Sequence, residues 1–117
     1  MGDLSKHFSR AEFACKCGCG FDTVDAVLLG YLESIRTYFG APITINSGCR
    51  CSTYNAKIGG ESKSLHMAGR AADITVLGTP PADVARYAEL IGCGGIGKYD
   101  TFTHVDSRTK GPARWAG

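Results

Sequence analysis

The stretch Ser64-Leu-His66-Met-Ala-Gly69-Arg-Ala-Ala-Asp73-Ile restricts the possible folds more than any other part of the chain. An imidazole and a carboxylate stand seven positions apart, with a glycine between them where the backbone can turn. The carboxylate lies just inside an apolar run, Ala71 to Leu77. With the period of two of a strand, Ala72, Ile74 and Val76 face one way, and Asp73 and Thr75 the other. Such a strand needs a core behind it and leaves a polar residue free for a site in front. His66 and Asp73 are therefore a candidate metal-ligand pair, and His104 in Thr103-His104-Val105-Asp106 is the candidate third ligand. Two nitrogens and one carboxylate oxygen leave the fourth position of a tetrahedral zinc open, which separates catalytic sites from closed structural ones. Phe102, His104 and Asp106 share a strand face by the same alternation, so His104 arrives with a carboxylate beside it.

The remaining elements follow from spacing and punctuation. Ser9, with Glu12 three residues on, reads as a capping box opening a short helix within residues 4 to 15, and Phe8 and Phe13 pack on the body. His7 reads as exposed. Cys15, Cys17 and Cys19 alternate, which places them on one face of an extended strand. Thr23 reads as the N-cap of the main helix over Val24 to Phe39, which Gly40 and Pro42 end. Ile43 to Asn46 alternates as a strand and runs into the polar loop Ser47 to Asn55, a common place to present site residues. Irregular chain from 56 to 65, turning at Gly59-Gly60, then delivers His66. Thr79-Pro80-Pro81 opens a helix over 82–91 with Val84, Tyr87, Ala88 and Ile91 inward, and Gly92 stops it. Gly95 to Tyr99 and Thr101 to Asp106 read as strands with a turn near Asp100. Residues 108–117 form a tail from which Trp115 can dock on the sheet. The succession predicts an α+β fold, helices packed on a small mainly antiparallel sheet, in one domain spanning 1–117.

Composition narrows the function classes. Hydrophobic residues at 44% and charged residues at 21% argue against both disorder and a membrane protein. The formal charge of +2 is small and unclustered, so no nucleic-acid partner is expected. The opening Met1-Gly-Asp-Leu-Ser-Lys-His-Phe lacks an apolar signal core, and no run approaches the ~20 apolar residues of a transmembrane segment. The expectation is synthesis in the cytoplasm without an export signal.

The run Ser47-Gly-Cys-Arg50…Tyr54-Asn55…Gly59-Gly60…Ser64-x-His66-x-x-Gly69-x-Ala71-x-Asp73-Ile74, followed by Gly95-Ile-Gly97-x-Tyr99…Phe102-x-His104-Val105-Asp106, resembles the M15 peptidase family. More closely, it is similar to the short, phage-associated branch of zinc D-alanyl-D-alanine carboxypeptidases and L-alanyl-D-glutamate endopeptidases. The opening Leu4-Ser-Lys-His-Phe…Glu12-Phe13 and the ending Arg114-Trp115 fit as well. The resemblance implies a fold shared with D-alanyl-D-alanine peptidases and hedgehog domains, and Zn2+ held by His66, Asp73 and His104. The implied substrate is a peptidoglycan stem peptide, cut by a monomer acting at the bacterial cell wall after release, as an endolysin of phage or prophage origin would. Arg50, with its paired donors, is the candidate clamp for a carboxylate or polarised carbonyl, and Ser64 the candidate helper beside it. Tyr54 is a further candidate substrate contact, although bracing the loop with Asn55 is its simpler task.

The acid/base carboxylate is the point of departure. Other branches place it three residues before the last zinc histidine, and Thr101 stands there. Asp106 is the expected base, because alternation points it to the metal side; on that reading Asp106→Asn abolishes turnover and leaves zinc bound. Its other role would be to orient a ligand from behind without moving a proton. Asp100, at the turn, is the alternative base. The missing acid also keeps open a catalytically weak zinc module that binds cell-wall peptide or a protein partner.

The six cysteines stay open at this level. Cys15, Cys17 and Cys19 with Cys49 and Cys51 suit disulfides across two loops or a second, structural zinc site, and six cysteines allow 15 connectivities. A Cys49–Cys93 bridge is conceivable, and Cys93 otherwise stands alone.

Overall fold

The computed structural model describes residues 2–61, 64–110 and 112–117. Among these residues, three helices, α1 (Ala26–Phe39), α2 (Ser52–Lys57) and α3 (Pro81–Leu90), accompany five strands: β1 (Ile43–Ser47), β2 (Ala71–Val76), β3 (Gly95–Lys98), β4 (Thr103–Asp106) and β5 (Ala113–Ala116). The strands form one sheet in the order β1-β2-β4-β3-β5. All neighbours are antiparallel except β3 and β5, which run parallel. This is the α+β architecture expected.

The alternation read in β2 holds, and the same period runs through its neighbours. Ile43, Ile45, Ala72, Ile74, Val76, Ile96 and Val105 are buried together with Leu28, Leu32 and Ile35 of α1 and Val84 and Ala88 of α3. Burying each of the isoleucine, leucine and valine side chains contributes on the order of 2 kcal/mol before the entropy of ordering the chain is set against it. One face of the sheet is thereby committed to the core. Asp73, His104 and Asp106 occupy the other.

Several local expectations shift. Asp25, not Thr23, caps α1: its carboxylate accepts from Leu28 N–H at 3.0 Å. Both are cap-forming types, and the one whose side chain reaches a free helix N–H takes the position. The Ser9–Glu12 box forms, with Glu12 accepting from Ser9 N–H at 2.7 Å, but it opens a 3-10 turn, Arg10–Phe13. His7 is half-buried and lies 2.6 Å from Glu33 of α1, which fastens the N-terminal arm. The second half of the loop read from Ser47 to Asn55 is helical, as α2. Of the irregular chain expected from 56 to 65, residues 62 and 63 lie outside the described residues, and Leu65–Ala68 forms a 3-10 turn. Of the tail read over 108–117, Ala113–Ala116 forms a strand, β5, and Trp115 docks on the sheet from it, while residue 111 lies outside the described residues.

The cysteine run Cys15 to Cys19 is not extended. Gly18 N–H bonds Cys15 C=O at 3.1 Å, and Cys15 N–H bonds Phe21 C=O at 2.7 Å, so the segment folds back on itself. No disulfide joins any two of the six cysteines, so the Cys49–Cys93 bridge does not form in this structure.

Candidate metal centre

The register of the sheet assembles the site. Asp73 of β2 stands directly opposite His104 of β4. Ser47 of β1 pairs with Asp73, Gly97 of β3 with His104, and Trp115 of β5 with Gly97. One row therefore crosses all five strands, Ser47–Asp73–His104–Gly97–Trp115. A Cβ on Gly97 would run into the Trp115 indole, so the missing side chain is what lets the ring lie there. Trp115 packs 4.9 Å from the His104 ring, centroid to centroid, and donates from Nε1 to Tyr99 Oη at 2.8 Å.

His66 enters from outside the sheet. Its 3-10 turn opens at Ser64, whose Oγ accepts from His66 N–H at 3.2 Å, and closes at Gly69. Gly69 has φ +68°, and a Cβ there would strike the carbonyl of Thr23, so the turn into β2 requires glycine. The ring is fixed by Nδ1–H donating to Gly48 C=O at 2.8 Å. That bond leaves Nε2 as the free nitrogen, 3.3 Å from Asp73 Oδ1. His104 is oriented the other way round. Its Nδ1 lies 3.0 Å from Asp73 Oδ1, and its Nε2 donates to Asp106 Oδ2 at 2.8 Å.

Two imidazole nitrogens and a carboxylate oxygen thus converge, all within 4.8 Å of one another. Donors bound to zinc at ~2.0–2.1 Å in tetrahedral geometry sit roughly 3.3 Å apart, so the set fits the ion and leaves a fourth position to the cleft. Each histidine also has the outer partner that metal-ligating histidines use to hold their tautomer, a backbone carbonyl for His66 and a carboxylate for His104.

Electrostatics agree with this arrangement. Burial opposes the charge on Asp73, yet hydrogen bonds from His104 and His66 hold its carboxyl well below the usual range. Burial likewise opposes the charge on His104, and its bonds to Asp106 and Asp73 outweigh it and raise the imidazole's pKa. Any metal here competes with protons, so affinity falls as the pH drops.

Asp106 is completely buried. Both of its oxygens are taken: His104 Nε2 bonds Oδ2, and the Arg108 guanidinium spans the pair at 2.8–3.2 Å. Burial pushes its pKa up, and His104 and Arg108 more than reverse that. It shares the sheet face of the ligands, as alternation requires, but stands behind the His104 ring rather than beside the cleft. Asp100 is exposed at the β3–β4 turn and does not line the cleft.

The cleft over the ligands encloses about 970 Å³. Arg50 and Ser64 line it, and Tyr54 does not. Arg50 is held on three sides, by Ser47 Oγ at 3.2 Å, Asn55 Oδ1 at 3.4 Å and Asp73 Oδ2 at 3.3 Å. Asn55, by contrast, braces: its amide donates to Glu61 C=O at 2.7 Å. Glu61, Arg108 and Lys110 line the wall with no forewarning in sequence, and Arg70 lines it from inside the His66–Asp73 stretch without having been singled out. The first three lie in none of the motifs, and only the folded structure brings them to the cleft.

A family model described as Peptidase M15 matches residues 6–106. The zinc D-Ala-D-Ala carboxypeptidase of Streptomyces albus G is 39% identical to the chain over 87 residues, covering 68% of this chain and 33% of that protein. The chain thus spans about a third of the length of this curated relative.

Proposed function

The chain belongs to the peptidase M15 family, and from that premise we propose that it is a zinc-dependent peptidase that hydrolyses peptide bonds in the stem peptides of bacterial peptidoglycan. The observation that carries this reading is the convergence of His66 Nε2, Asp73 Oδ1 and His104 Nδ1 on one point of the cleft, with Arg50 clamped alongside. Zinc, when bound there, supplies a Lewis acid for the scissile carbonyl and lowers the pKa of water.

The protein's own side chains do the rest. Arg50, Arg70, Arg108 and Lys110 line the cleft, against Glu61 and the ligand Asp73. That balance suits an anionic substrate, and a stem peptide ends in a carboxylate. Arg50, already immobilised, loses little freedom in gripping that carboxylate or a developing oxyanion. Tyr99, Phe102 and Trp115 give the cleft an apolar wall for alanine methyl groups. These features support carboxypeptidase action on the terminal D-alanine over internal cleavage. The likeness of the His66–Asp73 and His104–Asp106 motifs to the short phage-associated branch supports an endolysin-type setting at the cell wall.

Proton transfer needs a carboxylate with access to the cleft. Asp106 has none, and its task is to orient His104. Asp100 lies off the cleft. Glu61 lines it, close enough that its charge adds to the larger effect of Asp106 in raising the Arg108 pKa. We assign the proton-carrying role to Glu61, with Asp100 as the control.

The test is amine release from purified peptidoglycan by zinc-loaded protein, with and without chelator, the products weighed by mass spectrometry. Chelator-sensitive loss of D-alanine is expected; internal fragments would instead indicate the endopeptidase. No release from folded, zinc-bearing protein would leave a cell-wall binding module as the reading. Glu61→Gln should depress kcat with zinc retained; if Asp100→Asn does so instead, the base is Asp100.

A further inference from the structure

Four of the six cysteines gather at a second place. The Sγ atoms of Cys15, Cys17, Cys19 and Cys51 all lie within 4.8 Å of one another, with Cys15–Cys17 at 3.5 Å and Cys17–Cys51 at 3.6 Å. We propose that these four thiols bind a structural zinc ion in a tetrathiolate site, separate from the His66–Asp73–His104 centre. The proposal rests on the cysteines alone and is independent of the peptidase reading.

The geometry suits the ion. Zinc–sulfur bonds of ~2.3 Å in a tetrahedron place the sulfurs roughly 3.8 Å apart, close to the separations here, whereas a strand would hold alternate side chains roughly 6.6 Å apart. Convergence depends on the backbone at Gly18 and Gly20, where φ is +81° and +90°. These two glycines turn the Cys15–Cys19 segment around a point, and Cys51 closes that point from the other side of the fold. Four protein sulfurs leave no open position, which marks a structural rather than a catalytic site. Binding releases the four thiol protons to solvent and leaves a net charge of minus two on the centre. Backbone N–H groups are positioned to offset part of it: Cys51 N–H points at Cys15 Sγ and Tyr54 N–H at Cys51 Sγ, each at 3.4 Å.

Packing accounts for the buried Cys15 but not for two of the other thiols. Cys17 and Cys19 are exposed, where apolar burial gains nothing. The other two cysteines behave as ordinary core residues. Cys93 is buried, and Cys49 is buried with its Sγ donating to Thr23 C=O at 2.6 Å.

The ion would brace the segment that serves the catalytic centre. Cys51 directly follows Arg50, whose N–H bonds His66 C=O at 3.0 Å. Gly48, three residues before Cys51, carries the carbonyl that fixes the His66 ring. Cys49 N–H bonds Phe13 C=O at 2.8 Å, two residues before Cys15. A cross-link from Cys15, Cys17 and Cys19 to Cys51 therefore pins both ends of a short path leading to the ligand and the clamp.

The experiment is metal analysis of protein purified under reducing conditions, joined to the absorption spectrum of the cobalt-substituted form. Two zinc ions per chain are expected in the unaltered protein, one in Cys17→Ser and one in His66→Ala. The cobalt form should show an intense near-ultraviolet sulfur-to-cobalt charge-transfer band that survives His66→Ala and fades in Cys17→Ser. The spectrum of the unaltered chain needs no variant, so a misfolded substitution leaves the test intact. A single zinc that disappears with His66→Ala, a cobalt spectrum without the thiolate band, iron in place of zinc, or disulfides among these four cysteines would each overturn the proposal.

Discussion

His104 Nε2 donates to Asp106 Oδ2 at 2.8 Å, across the ring from the nitrogen that faces Asp73. The bond settles which nitrogen is left for a cation, because a neutral imidazole with its proton on Nε2 presents a lone pair only at Nδ1. Arg108 completes the support: it holds both Asp106 oxygens while its guanidinium lies 5.3 Å from the centre of the Trp115 ring.

Asp106→Asn distinguishes orientation from proton transfer. An asparagine keeps the shape but weakens the acceptor for His104 and removes the charge facing Arg108. Zinc affinity should fall by about 10–100-fold, as it does when an outer partner of a ligand is lost. Stability should fall by about 2 kcal/mol. Titration against a competing chelator gives the first number and denaturant unfolding the second, and activity should return when zinc is in excess. Unchanged affinity with activity absent at every zinc concentration would restore Asp106 as the base.

Arg50→Lys keeps the charge and loses the fork. With a point charge in place of paired donors, kcat/KM for a stem peptide should drop by about 100-fold, while zinc content stays as in the unaltered protein. Steady-state kinetics beside metal analysis separates these. A simple surface ion pair would give a change within about twofold.

The candidate ligands Asp73 and His104 were legible as residues of a polar face, because strand alternation keeps Ile74 and Val105 in the core. Their meeting was expected from residue type and from the family resemblance, but not from alternation, since β4 inserts between β2 and β3 and no local pattern reveals a non-sequential neighbour. The same alternation placed Asp106 on the correct face but could not tell that the His104 ring stands between its carboxylate and that of Asp73. Ala113-Arg-Trp-Ala is too short and too mixed to announce a strand; it becomes one by pairing with β3. Ser52-Thr-Tyr-Asn contains weak helix formers, and α2 exists because tertiary contacts and the Cys51 cap favour it. The alternation of Cys15, Cys17 and Cys19 misled for the opposite reason: period two was read as extension, and the intervening glycine turns the chain.

Acid should loosen the N-terminal arm. Glu33 accepts from Ser5 Oγ and His7 N–H, at 2.5 and 2.7 Å, and lies 2.6 Å from His7 Nδ1. Burial works against its charge, but these bonds lower its pKa below the ordinary glutamate value. A group with a lowered folded-state pKa contributes fully above its unfolded value, ~4.3, and loses that contribution as pH falls through the folded value. Glu33→Gln should therefore cost about 1 kcal/mol at pH 7, with the difference from the unaltered protein closing below about pH 4. Paired unfolding curves from pH 7 to 3 test this, and a difference independent of pH would assign the effect to packing.

Gly97→Ala tests the row that crosses the sheet. Gly97 pairs with His104 on one side and Trp115 on the other, and an added methyl would meet the indole at Nε1 and Cε2. The adjoining atoms belong to a wide, rigid ring that is itself bonded to Tyr99, so it cannot yield by a small rotation. The ring must leave, and with it β5 loses its anchor beside β3. An overpacked site of this kind costs about 1–3 kcal/mol. Because Trp115 is the sole tryptophan, its emission reports the event directly: the maximum should shift to the red in native buffer as the indole moves into water. Zinc content should persist, since Asp73 and His104 are joined through β2 and β4, whereas KM for the stem peptide should rise with the loss of an aromatic wall. An unshifted emission maximum at unchanged stability would mean that β5 does not depend on the space Gly97 leaves.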